Sequence, residues 1–330
     1  MKASELLELI AHVLLITSEK EALQADRIGF KDGKMWAFNG TIAFSSKAPF
    51  KVPDNTAIPA SALLNFLKAA KNKEVTLDFS KENCCRVLIK NGQLQIVTDA
   101  WKMPIDDIVS TSNAKTWQKL DPGFGAALNM AASFCTRNTF NQGFSCVYGN
   151  DGFLFGCDNI KAVQIQSGLS KKVKFLLLAQ TAQIISGIDP LEIACDTESD
   201  WIHFRNKTLT ASCRLSDLEY PNICSFFNGK GDKIQLPKNL GHIFERAASI
   251  CKETATVMVD NDVLTVRAKG DFAKFAERTE SSGIPSMTFT VVPKAAAELL
   301  MNSYIAQLIK NGLLLASNNI KMMLSIIMEK

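Results

Sequence analysis

The sequence predicts an α+β protein of three tandem domains, each with two helices packed on antiparallel sheets. Three features lead there, because each occurs three times along the 330 residues at closely matched intervals: an apolar helical stripe, a short strand running into a helix, and a strand–turn–strand unit. A period this long describes tandem domains and not a solenoid, whose repeats are much shorter.

The stripe opens each domain. Phe124, Ala127, Leu128, Ala131, Ala132 and Cys135 fall at i, i+3, i+4, i+7, i+8 and i+11, as do Leu240, Ile243, Phe244, Ala247, Ala248 and Cys251. That spacing keeps apolar side chains on one side of a helix. Both runs contain Ala-Ala-Ser, 116 residues apart, and Leu6, Leu9, Ile10, Val13 and Leu14 repeat the stripe 118 positions before the first of them. The chain therefore begins with a third copy. After the stripes come "RIGFKDGKMWAFNG", "FSCVYGNDGFLFG" and "TATVMVDNDVLTVRA", β-type alternation around Asp-Gly or Asn-Asp turns. These are hairpin signals, since such turns need residues that tolerate positive φ.

The second helix follows a short strand at Ile58-Pro59, Leu178-Ala179 and Val292-Pro293, spaced by 120 and 114 residues. Proline costs nothing at a helix start, where its missing N–H has no helical partner. Strand–turn–strand patterns close each unit, with Asn91, Asn206 and Asn318 in the turns, 115 and 112 apart. Pro-bearing exits follow the first two, at Pro104 and Pro221. Polar stretches at "STSNAKT" and "FFNGKGDK" then place the domains at 1–115, 116–230 and 231–330.

Bulk properties narrow the function. At 47% hydrophobic residues the chain can bury large cores. Its longest apolar run, "LLELIAHVLLI", is interrupted by Glu8 and His12 and is shorter than the roughly 18 residues a membrane helix needs. Nine cysteines with no C-x-x-C suit reduced, mostly buried thiols in a cytoplasmic protein, with no disulfide framework and no zinc site. Basic and acidic residues number 15 and 13 in 1–115, ten and ten in 116–230, and twelve and ten in 231–330. A protein that held nucleic acid by neutralising many phosphates would be more basic. Any DNA contact is thus expected to be weak and salt-sensitive, or held by something other than charge.

Four segments, in order, resemble the β-type DNA sliding clamp, the processivity ring of bacterial-type replicative polymerases. They are "DGFLFGCDNIKAV", "LTASCRLSDLEYPNI", "IFERAASICKETATVMVDNDVLTVRAKGDFAKFAERTE" and the terminal "LSIIMEK". The resemblance implies a head-to-tail homodimer of three-domain chains forming a six-domain ring. Helices would line the hole and sheets the outer wall, with double-stranded DNA held topologically. Its partners would be a DNA polymerase, a clamp loader and a second copy of itself; it would use no cofactor or metal, catalyse nothing and touch no membrane. The family's Gly-His-Arg loop is here Asn159-Ile160-Lys161, and its terminal Met-Pro is Met328-Glu329. These departures suggest a diverged member, with a phage source as one reading.

The resemblance also nominates residues. For DNA these are Lys20 after the first helix, Lys68, Lys71, Lys73, Arg137, Lys238, Lys252 and Lys294, against the plainer reading of solvated surface charges. Arg137, in "TRNTFNQG", occupies the family's DNA-touching loop, whereas Glu5 and Glu8 argue against a uniformly basic lining. For a partner-peptide pocket they are Asn159, Ile160, Lys161, Ala162, Phe226, Phe227, Ile326 and Met328, the last two equally readable as strand core. For the dimer interface they are Ile96, Arg246 and Ile250. Two other readings stay open. One is a clamp-fold scaffold that binds partner peptides without encircling DNA. The other is an enzyme, which finds no support in three scattered histidines and no Walker, G-x-G-x-x-G or G-x-S-x-G motif.

Overall fold

Six helices and twenty-five strands follow one another in a threefold repeated order among the described residues. The computed structural model describes residues 1–17, 24–103, 105–106, 108, 116–136, 142–195, 200–301 and 305–328, with His12 described in its main chain only. The first third holds α1 (Ala3–Leu14), β1 (Arg27–Lys31), β2 (Lys34–Phe38), β3 (Ile42–Lys47) and β4 (Thr56–Pro59). After these come α2 (Ala60–Ala70), β5 (Thr76–Asp78), β6 (Cys84–Ile89), β7 (Gly92–Val97) and β8 (Asp99–Ala100). The second holds β9 (Gln118–Lys119), α3 (Phe124–Ser133), β10 (Cys146–Asn150), β11 (Phe153–Cys157), β12 (Lys161–Gln166) and β13 (Phe175–Leu178). It continues with α4 (Ala179–Ser186), β14 (Glu192–Cys195), β15 (Trp201–Arg205) and β16 (Leu209–Arg214). The last holds β17 (Asp232–Gln235), α5 (Leu240–Ile250), β18 (Ala255–Asp260), β19 (Val263–Lys269), β20 (Lys274–Glu280) and β21 (Met287–Val291). It closes with α6 (Pro293–Leu300), β22 (Ile305–Ile309), β23 (Gly312–Ser317), β24 (Ile320–Ser325) and β25 (Ile327–Met328).

The turns are those the sequence asks for. Asp32-Gly33, Asp151-Gly152 and Asn261-Asp262 all have positive φ, which suits two-residue hairpins whose twist matches the flanking strands. Asn91 and Asn318 sit in the β6–β7 and β23–β24 turns. Asn206 folds its Oδ1 onto the N–H groups of Thr208 and Leu209, both at 2.9 Å. Pro104 and most of the "STSNAKT" stretch lie outside the described residues.

Contacts divide the chain into two compact units, 1–126 with 170–216 and 127–169 with 217–330. In the first unit, one antiparallel sheet runs β8-β4-β1-β2-β3-β16-β15-β14-β9 and a second runs β5-β6-β7. The large sheet joins two thirds of the sequence through β3 and β16, from Ile42↔Cys213 to Ser46↔Leu209. Trp36, Phe38, Trp101, Met103, Ile105 and Ile108 form one of its cores. Helices α1 and α2 pack together, α1 burying Leu6, Ile10 and Val13. Leu9 departs from the expected stripe: it is 49% exposed.

In the second unit, strands run β10-β11-β12-β24-β23-β22-β17 in one sheet and β20-β19-β18-β21-β25 in another. Here β12 and β24 join two thirds of the sequence, from Lys161↔Leu324 to Ile165↔Ile320. Helix α5 buries Leu240, Ile243, Phe244 and Ala247 of its predicted stripe against α6 and the β18–β21 sheet, while Ala248 and Cys251 are half-buried. Gly241 permits the close approach of α5 to α6, since a Cβ there would lie 2.7 Å from the Met301 Cα. Full burial of a side chain such as Phe244 contributes about 1.5–3 kcal/mol.

Candidate functional site

The second unit contains a cavity of about 570 Å³. Phe144, Ile160, Ala162, Ile223, Phe226, Ile309 and Met323 supply its apolar surface, and Lys161, Lys230 and Lys310 supply its charge. No acidic side chain lines it among the described residues.

Its first wall is the turn between β11 and β12. Asp158 Oδ1 accepts hydrogen bonds from the Ile160 N–H (3.0 Å) and the Lys161 N–H (2.8 Å), and Asn159 takes a positive φ. This side-chain turn fixes the loop and sets Ile160 at the cavity. Lys161 reaches Glu298 of α6 at 2.5 Å and lies 5.0 Å from the Phe134 ring centroid, so its charge is already engaged.

The second wall is the 3-10 turn Cys224–Asn228, which separates two neighbouring phenylalanines. Phe226 is 51% exposed and lines the cavity, while Phe227 points the other way into the core beside Phe155. Lys321 Nζ donates to the Phe227 carbonyl at 3.1 Å and braces the turn from β24. Beneath lie stacked Tyr148 and Tyr220, with the Tyr220 hydroxyl donating to Cys157 Sγ. Burial pushes the Cys157 thiol up to about 12 and raises the Tyr220 hydroxyl further still. The sulfur at this cavity is therefore a neutral thiol, unsuited to nucleophilic attack. None of the nine cysteines is in a disulfide, and burial likewise raises Cys135 and Cys213.

Of the eight expected pocket residues, Asn159, Ile160, Lys161, Ala162 and Phe226 are brought together here. Phe227 belongs to the core beneath. Ile326 is buried and does not line the cavity, and Met328 lies on β25 opposite Phe289. Met323 of β24 and Ile309 at the end of β22 line the cavity instead. Sequence reading missed those two, along with Lys230 and Lys310. Their convergence depends on the pairing of β17, β22, β23 and β24, which the sequence does not spell out.

The basic candidates lie mainly at helix ends. Lys68 is on the exposed face of α2, and the carbonyls of Lys71 and Lys73 accept from the N–H groups of Ser4 and Ala3, which starts α1 there. Lys238 precedes α5, Lys252 follows it, and Lys294 stands in the first turn of α6; all are exposed. Lys20 and Arg137 lie outside the described residues. The exposed face of α1 carries Glu5 and Glu8, and Arg246 on α5 is held by Glu277 of β20 at 2.5 and 2.8 Å.

Strands β20 and β7 are among those that end a sheet in the described residues. Ile96 is 4% exposed within its own chain, so the side-chain contact expected of it is not available. Its neighbour Val97 faces outward instead, 72% exposed, because successive residues of a strand point to opposite faces. Phe272, just before β20, is fully exposed. Ile250, half-buried at the end of α5, approaches Gly270 through its carbonyl. No cluster of three metal-ligating side chains occurs among the described residues, and no described helix is long and apolar enough to cross a membrane.

No protein-family model and no curated protein matches the sequence. Solved structures do match over the whole chain. The beta sliding clamp of Caulobacter crescentus superposes with a TM-score of 0.84 at 10% identity, over 99% of this chain and 97% of that one. The DNA polymerase III beta chain of Streptococcus pneumoniae gives 0.81 at 12% identity, over 99% and 98%. The DNA polymerase sliding clamp of Bacillus subtilis gives 0.79 at 11%, over 100% and 98%. At such low identity the likeness speaks for architecture, and the architecture of this chain is that of the bacterial DNA polymerase III beta sliding clamp.

Proposed function

We propose that the protein is a DNA sliding clamp. Two copies join head to tail into a ring of six domains, three from each chain at 1–115, 116–230 and 231–330. The ring encircles duplex DNA in the cytoplasm, tethers a DNA polymerase without catalysing anything, and is placed on DNA by a clamp loader. The cavity beside Ile160 and Phe226 takes a partner peptide. Lys68, Lys71, Lys73, Lys238, Lys252 and Lys294, with Lys20 and Arg137, meet phosphates loosely while topology holds the DNA.

The observation that carries this reading is a repeated pairing rule with one instance left over. The third strand after the opening helix pairs antiparallel with the second strand of the following domain's closing hairpin, β3 with β16 and β12 with β24. The remaining strands of those two kinds are β20 and β7, both open edges. An exposed edge is a liability unless another chain covers it, and a second copy supplies the match.

The rule also gives a register. Ile42, Lys161 and Ala273 are equivalent, since their carbonyls accept from Asn39, Asp158 and Gly270 at 3.1, 3.1 and 2.9 Å. Leu209, Ile320 and Gly92 are equivalent as the first residues after their turns. Ile42 pairs with Cys213 and Lys161 with Leu324, each four residues beyond that start. Transferred to the open edges, Ala273 pairs with Ile96 of the second copy, and Phe272 then faces Val97. The register thus brings two strongly exposed apolar side chains together, which supports it independently. The test is native mass by light scattering across a concentration series. A species of about twice 36.2 kDa is expected; a monomer at every concentration would count against self-closure.

A second reading is favoured by the near-neutral helix faces, where Glu5, Glu8, Glu245 and Glu298 offset Lys68, Arg246 and Lys294. In it the chain is a clamp-fold scaffold that binds partner peptides without encircling DNA.

A further inference from the structure

The charge at the cavity is not spread evenly. Strand β17 pairs with β22 from Asp232↔Leu308 to Gln235↔Ile305. Lys230, in the lead-in to β17, and Lys310, in the turn after β22, lie just beyond the same end of this ladder and both line the cavity rim. The backbones are in close contact there: a Cβ on Gly231 would lie 1.9 Å from the Leu308 carbonyl oxygen, and one on Gly229 would lie 3.3 Å from Ile309. Glycine on both sides of Lys230 is what allows the approach.

Like charges gathered at one rim repel each other unless an opposite charge lies between them. Both lysines are exposed, and neither has an ion-pair partner among the described residues. Asp232, two residues along, pairs with neither of them. Lys161, the third lysine of the cavity, is occupied by Glu298. Among the described residues the cavity thus presents an apolar floor, a rim with two uncompensated positive charges, and no acid.

We infer that the partner peptide carries an aspartate or glutamate side chain beside its apolar anchors, and that this carboxylate docks between Lys230 and Lys310. The inference rests on the reading of the cavity as a peptide pocket. A carboxylate there accepts from both ammonium groups and removes their mutual repulsion, so it is favoured more than by a single surface lysine. The two lysines then set which peptides bind, while the floor sets how tightly apolar residues hold.

The experiment is a display selection with random heptapeptides flanked by Gly-Ser linkers on both sides, so that no free carboxyl terminus is offered. It is run on the full-length protein and on the double variant Lys230→Gln/Lys310→Gln. On the unaltered protein, enrichment of two or more large apolar residues next to Asp or Glu is expected; the double variant keeps the apolar residues and loses the acid. For a synthetic, capped winner, Asp→Asn weakens binding to the unaltered protein by about 3- to 10-fold, and by less than about 2-fold to the double variant. Apolar enrichment without acid on both proteins overturns the inference and leaves the pocket reading standing. So does binding that needs a free carboxyl terminus, tested with uncapped peptides. Absence of apolar enrichment, or winners that bind an Ile160→Asp variant undiminished, overturns the pocket reading itself.

Discussion

Replacing Phe272 by alanine separates the proposed self-contact from everything else the chain does. The ring is fully exposed in the single chain, so folding gains nothing from it. Opposite Val97 of a second copy, roughly half of an aromatic surface of about 200 Å² is covered. At about 25 cal/mol per Å², that is about 2.5 kcal/mol per contact. A closed two-copy ring has two such contacts, so the loss is about 5 kcal/mol, or three to four orders of magnitude in the dissociation constant. Sedimentation over a wide concentration range reads the shift, and thermal unfolding of the monomer is the control. The account expects a much weaker dimer with an unchanged monomer Tm. A variant that dimerises like the unaltered protein would refute the register, and one with a lowered monomer Tm would show that Phe272 supports its own fold.

Two further predictions concern the chain itself. Phe244→Ala empties a site enclosed by Leu240, Val259, Leu264 and Phe289, and should cost about 3–5 kcal/mol in chemical denaturation; a loss below about 1 kcal/mol would mean the site collapses or was never tightly filled. The hydrogen bond from Arg205 holds the Glu192 carboxyl below its usual value of 4.5. A carboxyl depressed in the folded state stabilises above its unfolded pKa, and that contribution is lost as pH falls through the folded one. The stability advantage of the unaltered protein over Glu192→Gln should therefore be constant at neutral pH, shrink below about pH 4.5 and vanish in stronger acid. A gap that does not change with pH would assign it to packing.

Much of the fold was legible because repetition amplifies weak signals. One Ala-Ala-Ser match means little. The stripes of α3 and α5, the Asp32-Gly33 and Asp151-Gly152 turns and the turns at Asn91, Asn206 and Asn318 all recur in register, and the structure has each of them. Part of the cavity was legible too, since Asn159 to Ala162 form one continuous loop held by Asp158.

What escaped the sequence depends on parity or on distant pairing. Ile96 and Val97, or Phe226 and Phe227, are chemically alike neighbours, and only the face of the strand or turn decides which is buried. Leu9 fits the apolar period of α1 yet stands outside the buried surface. Met323 and Ile309 reach the cavity through strand pairings far apart in the chain, as do Lys230 and Lys310. Ile326 looked like a pocket residue from its place near the terminus, but the main chain there is held by Asn311 and the side chain turns inward.

The central claim is that DNA is held by enclosure and not by charge, and retention on circular against linear DNA tests it most directly. The protein is loaded onto nicked circular duplex, washed at high salt, and followed before and after a single cut that makes the circle linear. Enclosure predicts persistence on the circle, because salt weakens phosphate contacts but opens no ring, and rapid loss once ends are available. Equal retention on both forms, falling steeply with salt, would contradict the account and leave the clamp architecture serving another purpose.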